Sequence, residues 1–296
     1  MDIVTHALMG VTLGSPLLDS HPLGAAAFML GSVAPDLDAL SRIFGKRAFL
    51  RSHQTWSHAL PVIAGLGALT AALTSVEAGL GLALGMALHS LLDVSNTYGI
   101  ALFLPFSRRR YCLEWVFFID AVVILITLPS LGLMLRRQAA GAPTQGIALS
   151  YAAMMVAWWT LRALLRWRAG RLAPVGTLSL LPSALWPWRY LGTARSGACE
   201  GAVVLFTLNG LTGAIQDRRE LTPRDEAWRD VLERLPELEI MRELSPAFHV
   251  TEVTSSEGGT RLRLRDLRVR NFASRWGEVE VLVTPERTIA EVEHHV

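Results

Sequence analysis

Long apolar segments fill the first half of the chain, whereas charged and apolar residues alternate toward its C-terminal end. Several of these segments approach the ~20 residues that a helix needs to cross a hydrocarbon layer of about 30 Å. The pattern predicts membrane helices at residues 3–18, 22–40, 59–75, 78–95, 116–135 and 147–165. The first segment is short, so a re-entrant or protein-embedded helix is an open alternative at that position.

The alternating pattern after about residue 210 is typical of half-exposed strands in a soluble domain. It predicts strands at residues 199–208, 261–270 and 278–284, and a helix at residues 225–235. We therefore expect a mainly α fold with two domains. A polytopic transmembrane helical domain occupies residues 1–170, and a C-terminal soluble α+β domain occupies residues 176–296.

The composition agrees with a membrane protein. The chain of 296 residues is 51% hydrophobic and only 18% charged, and a mean hydropathy of +0.34 is high for a soluble domain.

A net charge of +2 gives no argument for a nucleic-acid partner. Two cysteines, Cys112 and Cys199, do not indicate a disulfide framework. The start of the chain lacks the basic region of a cleavable signal peptide. No feature predicts an oligomeric state.

Basic residues predict the orientation. If all six segments span, one side receives the basic residues of 42–51, 108–110 and 166–171, and the other side receives only Arg136 and Arg137. Cytoplasmic loops carry an excess of lysine and arginine. The richer side is therefore predicted to be cytoplasmic, with both termini of this multi-pass protein on that side.

Imidazole and carboxylate side chains lie near the ends of five segments, all on the predicted cytoplasmic side. The candidate metal ligands are Asp2, His6, Asp36, Asp38, His53, His58, His89, Asp93 and Asp120. Asp2 with His6, and His89 with Asp93, are four residues apart and so share a helix face. A ligand set of nitrogen and oxygen atoms suits a divalent metal, with zinc first and manganese or iron as alternatives. Because this set exceeds what one ion needs, we expect two or more ions.

The same residues have structural interpretations. Asp2 could serve only the N-terminus of the first helix, and His89 with Asp93 could be a packing pair. A divalent metal-ion transporter is a second hypothesis, because intramembrane carboxylates and histidines also mark ion pathways. A membrane scaffold, with residues 176–296 binding a protein partner, is a third. The gathering of the candidates in one layer favours a hydrolytic site over a pathway, although no residue is singled out as the general base.

Four short motifs resemble those of a known family. They are Thr5-His6, Pro35-Asp36-Leu37-Asp38, Thr55-Trp56-Ser57-His58 and His89-x-x-x-Asp93. Together they resemble the YdjM-like bacterial inner-membrane family of metal-dependent hydrolases, which is distantly similar to zinc-dependent phospholipase C and P1-type nucleases. The resemblance covers about residues 1–130. His53 stands where relatives often carry a His-Arg-Gly run, and this departure leaves its role open.

The resemblance implies a function at the bacterial inner membrane. It implies a metal-dependent hydrolase that cleaves a phosphoester. Together with the predicted topology, this leads to the hypothesis of a membrane-embedded site that acts at the cytoplasmic face, with a lipid-linked phosphoester as one candidate substrate. Membrane lipid and a phosphoester substrate are the implied partners. Paired ions would stabilise both the attacking and the leaving oxygen of such a displacement.

Overall fold

The computed structural model describes residues 2–197, 201–256, 258–270 and 277–295. The chain divides into two compact units. One consists of Met1–Leu164 and Ala184–Pro187, and the other of Leu165–Ser183 and Trp188–Val296. Helices dominate the first unit and antiparallel sheets dominate the second.

The helices of the first unit are separated by short connections. They are α1 (Ile3–Gly14), α2 (Pro22–Gly31), α3 (Lys46–Ser52), α4 (Leu60–Leu73), α5 (Val76–Val94), α6 (Ala121–Ala139) and α7 (Gln145–Leu172), the last of which continues into the second unit. A 3₁₀ segment at Ala34–Phe44 follows α2, and a single 3₁₀ turn at Trp56–His58 precedes α4.

Three helices are long and apolar enough to cross a membrane: α5, α6 and α7. Two further pairs pass the same test only as bent units: α2 with the 3₁₀ segment, bent by 43°, and Lys46–His58 with α4, bent by 62°. The described residues thus provide three to five spans by length and composition, whereas the sequence predicted six. The first predicted segment is a shorter apolar helix, Ile3–Leu17.

Close backbone contact between α2 and α5 fixes the centre of the first unit. A Cβ atom at Gly31 would lie 2.5 Å from the Leu82 carbonyl oxygen, and one at Gly85 would lie 2.1 Å from the Phe28 carbonyl oxygen. Only glycine permits this approach, as is common between helices in lipid. The packing brings the C-terminal end of α2 beside the middle of α5, at Leu82–Met86, one turn before His89.

The second unit contains two four-stranded antiparallel sheets, each with its strands in sequence order. The first sheet consists of β1 (Thr177–Pro182), β2 (Arg189–Arg195), β3 (Val203–Asn209) and β4 (Ile215–Leu221), and the second of β5 (Phe248–Ser256), β6 (Gly259–Asp266), β7 (Glu278–Val283) and β8 (Ile289–His295). Two short helices, α8 (Arg229–Leu232) and α9 (Pro236–Leu244), precede β5.

The predicted elements of this unit differ from the structure in detail. The predicted strand at 199–208 is observed as β3, and residues 198–200 lie outside the described residues. The predicted helix at 225–235 contains a 3₁₀ turn, Glu226–Trp228, and the single turn α8. The predicted strand at 261–270 ends at Asp266, whose side chain accepts a hydrogen bond from the Arg268 N–H and begins a 3₁₀ turn.

Candidate metal centre

Four buried side chains converge in the first unit: Asp36, His58, His89 and Asp93. Each offers one ligand atom, and the four atoms lie within 4.8 Å of one another. His58, His89 and Asp93 have no exposed surface, and Asp36 is 8% exposed. Two imidazole nitrogens and two carboxylate oxygens form a donor set of the kind that holds zinc in four-coordinate sites.

Three separate elements deliver these side chains. Asp36 lies in the first turn of the 3₁₀ segment, directly after Pro35, and His58 ends the 3₁₀ turn before α4. His89 and Asp93 lie one turn apart near the C-terminal end of α5, so they face the same side of the helix. The arrangement therefore depends on the close packing of α2 against α5 and on the residues that precede α4.

The hydrogen bonds of the two imidazoles define their tautomers. His89 Nδ1 lies 2.8 Å from the Ser32 carbonyl oxygen, which only accepts, so Nδ1 carries the hydrogen. Ser57 Oγ donates to Asp38 Oδ2 at 2.7 Å and therefore accepts from His58 Nδ1 at 2.9 Å. In the neutral form, both rings then present the lone pair of Nε2 to the interior of the cluster.

The two Nε2 atoms face each other at 3.1 Å. Two lone pairs at this distance repel unless a proton or a cation lies between the rings. Asp93 Oδ2 is 3.3 Å from the Nε2 of His58 and 3.6 Å from that of His89, and Asp36 Oδ1 is 3.4 Å from His89 Nε2. Two buried carboxylates beside two nitrogen lone pairs suit a divalent cation.

His6 and Gln54 support Asp93 from outside this group. His6 Nε2 lies 3.2 Å from Asp93 Oδ1, and the His6 ring stacks on His89 with 3.7 Å between centroids. Gln54 Nε2 donates to Asp93 Oδ2 at 3.2 Å. Because both carboxylate oxygens are engaged, the Asp93 side chain is held in one orientation.

Asp38 and His53 form the more exposed edge of the site. Asp38 Oδ1 lies 2.6 Å from His53 Nδ1, while its Oδ2 accepts from the Gln54 N–H at 2.9 Å. Asp38 Oδ2 also lies 3.5 Å from His58 Nδ1. The His53 side chain is 28% exposed. Asp38 therefore binds and orients the residues before α4. One of them is His58, which belongs to the four-residue group.

The two remaining predicted ligands are placed at helix ends. Asp2 caps α1 and accepts hydrogen bonds from the N–H and hydroxyl groups of Thr5. Asp120 caps α6 by accepting from the Val122 N–H at 3.0 Å, and it lies 3.8 Å from the Nε of the buried Arg162. The four-residue group contains neither of these carboxylates.

Sequence reasoning missed Gln54 and the Ser32 carbonyl. Gln54 is buried and has a φ of 60°, in the left-handed region that non-glycine residues rarely adopt. Its carbonyl accepts from the Ala101 N–H at 3.1 Å, and its side chain reaches Asp93. The signal for Gln54 was its position between His53 and the Thr55-Trp56-Ser57-His58 motif, whereas a backbone carbonyl has no signature in the sequence.

Residues 1–169 match the model of the YdjM inner membrane protein family. The chain belongs to this family. The match includes the whole four-residue group and ends before the first sheet of the second unit. It confirms the resemblance drawn from the four motifs, and the family's description names no enzymatic activity.

A protein of Bacillus subtilis (strain 168), the uncharacterized protein YfhP, is 26% identical over 189 residues. The alignment covers 58% of this chain and 56% of YfhP, so the chain spans little more than half the length of that relative. No solved structure matches the chain.

Because Asp38 orients the residues before α4, its substitution tests the candidate metal centre of this YdjM-family protein. Asp38→Asn is expected to lower the affinity for zinc by about 10–100-fold, the usual cost of losing a partner that orients a metal-binding histidine. Competition with a zinc chelator, on purified protein in detergent, measures the change. Asp19→Asn, at an exposed position, is the matched control and should bind as the wild type does. Equal affinities for the two variants would contradict the role given to Asp38.

Proposed function

We propose that this protein is a membrane-embedded, metal-dependent hydrolase that cleaves a phosphoester at the cytoplasmic face of the bacterial inner membrane. The observation that carries the proposal is the pair of facing Nε2 atoms of His58 and His89, bracketed by Asp36 and Asp93. All four side chains are buried. Burial of the two carboxylates costs free energy, and a bound cation would offset this cost.

Asp36, His58, His89 and Asp93 would hold the ion, with zinc the first choice and manganese or iron the alternatives. A divalent ion there supplies Lewis acidity toward a phosphoryl oxygen and lowers the pKa of water. The protein's own contribution is orientation: Ser32 and Ser57 fix the two imidazoles, and His6 and Gln54 fix Asp93. The larger number of ions expected from the nine sequence candidates stays a prediction for metal stoichiometry to test.

Exposed apolar side chains near the site support a lipid-linked substrate. The 3₁₀ segment that carries Asp36 exposes Leu40, Ile43 and Phe44, with Phe44 84% exposed. The cationic residues Lys46 and Arg47 follow directly in the chain. An apolar edge next to basic residues suits an anionic lipid headgroup at the membrane surface.

Sided membrane vesicles test the reaction and the orientation together. Zinc-loaded inverted vesicles that contain the protein should release the headgroup of an added phosphodiester substrate, because inversion exposes the cytoplasmic face. Right-side-out vesicles, and inverted vesicles without the protein, should not. Chelation of the metal should abolish the release. Uptake of zinc without hydrolysis would favour the transporter hypothesis, and activity in right-side-out vesicles alone would contradict the orientation.

A further inference from the structure

A cavity of about 610 Å³ lies in the second unit, between strands of its two sheets. Its volume is within the usual range for small-molecule sites. Its lining residues include Leu191, Leu205 and Leu267, which are apolar, and the two arginines Arg219 and Arg270. None of these residues belongs to the four-residue group Asp36, His58, His89 and Asp93, so the cavity is a separate site.

Arg270 carries a charge that the described protein residues do not pair. Its Nη2 donates to the carbonyl oxygens of Gly192 and Phe206, and its Nη1 donates to that of Leu267. These bonds use three of the five N–H donors of a guanidinium and provide no formal negative charge. Burial lowers the pKa of Arg270 to about 10, and the nearby Asp217 partly offsets this effect. The group is therefore still charged at neutral pH.

Most other charges on the wall are already paired within the protein. The pairs are Asp266 with Arg268 at 2.9 Å, Glu252 with Arg263 at 2.6 Å, and Arg265 with Glu278 at 2.7 Å. Asp217 is 68% exposed and lies 3.8 Å from Arg189, so solvent screens its effect on the cavity. Among the described residues, Arg219 and Arg270 have no carboxylate within 4.0 Å. The cavity thus has an excess of positive charge beside an apolar wall.

We propose that this cavity binds an amphipathic anion, whose acid group lies between Arg219 and Arg270 and whose apolar part lies against the leucines. A carboxylate or phosphate group accepts hydrogen bonds from guanidinium groups in a fixed geometry, which makes arginine well suited to this role. The leucine side chains add affinity only for a ligand with an apolar part.

Hexyl phosphate is a suitable probe because it combines both features in a small, soluble molecule. It should bind the purified full-length protein in nonionic detergent more tightly than inorganic phosphate or hexanol, as measured by calorimetric titration. Arg219→Gln should weaken binding by about tenfold, in line with the loss of one charge-assisted hydrogen bond. Arg218→Gln is the matched control, because Arg218 is adjacent on β4 and does not line the cavity.

A variant that is expected to bind hexyl phosphate more tightly provides a second, independent test of the cavity. Asp217→Asn removes the one weakly paired carboxylate of the wall, and asparagine tolerates the φ of 51° observed there. This variant should bind hexyl phosphate about threefold more tightly, because it removes the solvent-screened Coulomb repulsion between one carboxylate and the anionic probe. Equal affinity for hexanol and hexyl phosphate, equal affinity for inorganic phosphate, or equal weakening by Arg218→Gln and Arg219→Gln would each overturn the proposal. Substitution of Arg219 is preferred to that of Arg270, whose loss would release three backbone carbonyls.

Discussion

Purified protein with His89→Ala is expected to retain at most about a tenth of the wild-type zinc and to hydrolyse no phosphoester, since even an outer partner of a metal-binding histidine is worth 10–100-fold in affinity. The substitution removes one of the two facing Nε2 atoms and the bond from Nδ1 to the Ser32 carbonyl. Asp36→Ala should have the same effect, because it removes a carboxylate from the same group. Metal content is measured by mass spectrometry after purification in detergent.

Insertion into the membrane should survive these substitutions. Removal of a histidine or an aspartate from an apolar segment does not weaken its insertion. His21→Ala is the matched control, because the His21 side chain is 63% exposed and lies outside the four-residue group. If His89 and Asp93 serve packing alone, His89→Ala will lower the thermal unfolding temperature and leave the zinc content unchanged. That result, obtained on folded protein, would reject the metal centre.

The four-residue group could be found from the sequence, because the spacing of His89 and Asp93 follows from helix geometry. His89 and Asp93 share a face at a spacing of four residues, and His89 on this face meets Asp36 at the end of the second predicted segment, residues 22–40. The sequence was not sufficient to separate the side chains of the buried four-residue group from those that cap helices. Asp2 and Asp120 occupy helix N-termini, where a carboxylate accepts backbone N–H groups whether or not a metal is near.

The limits on the fold prediction have similar causes. Mean hydropathy carries no information about the direction of the helix axis. It therefore predicted one continuous segment at residues 22–40, although the axis bends by 43° between α2 and the 3₁₀ segment. Pro35 lies in the first turn after this break, where a proline is compatible with a new helical start. In the second unit, alternation predicted a strand at residues 278–284, which is observed as β7 (Glu278–Val283), whereas the turn after Asp266 depends on a side-chain cap.

Gly85→Ala should disturb the metal centre without touching a ligand. A Cβ atom at this position would lie 2.1 Å from the Phe28 carbonyl oxygen and 2.9 Å from the Ser32 backbone nitrogen. Both are backbone atoms, so α2 must move away from α5 to accommodate the methyl group. The expected cost is about 1–3 kcal/mol of stability, as for other overpacked interiors. The thermal unfolding temperature in detergent measures this loss.

The same movement should lower metal affinity, because it displaces the carbonyl that orients His89. Ser32 accepts from His89 Nδ1 at 2.8 Å, and His89 lies one turn after Gly85 on the same face of α5. We expect about a tenfold loss of zinc affinity, at the lower end of the cost of removing such a partner. Gly65→Ala in α4 is the matched control, since a Cβ there meets no atom within 4 Å. An alanine at an open helix position gains up to about 1 kcal/mol, so this control should be neutral or stabilising. Unchanged zinc affinity in a destabilised Gly85→Ala protein would show that the Ser32 carbonyl does not determine the orientation of His89.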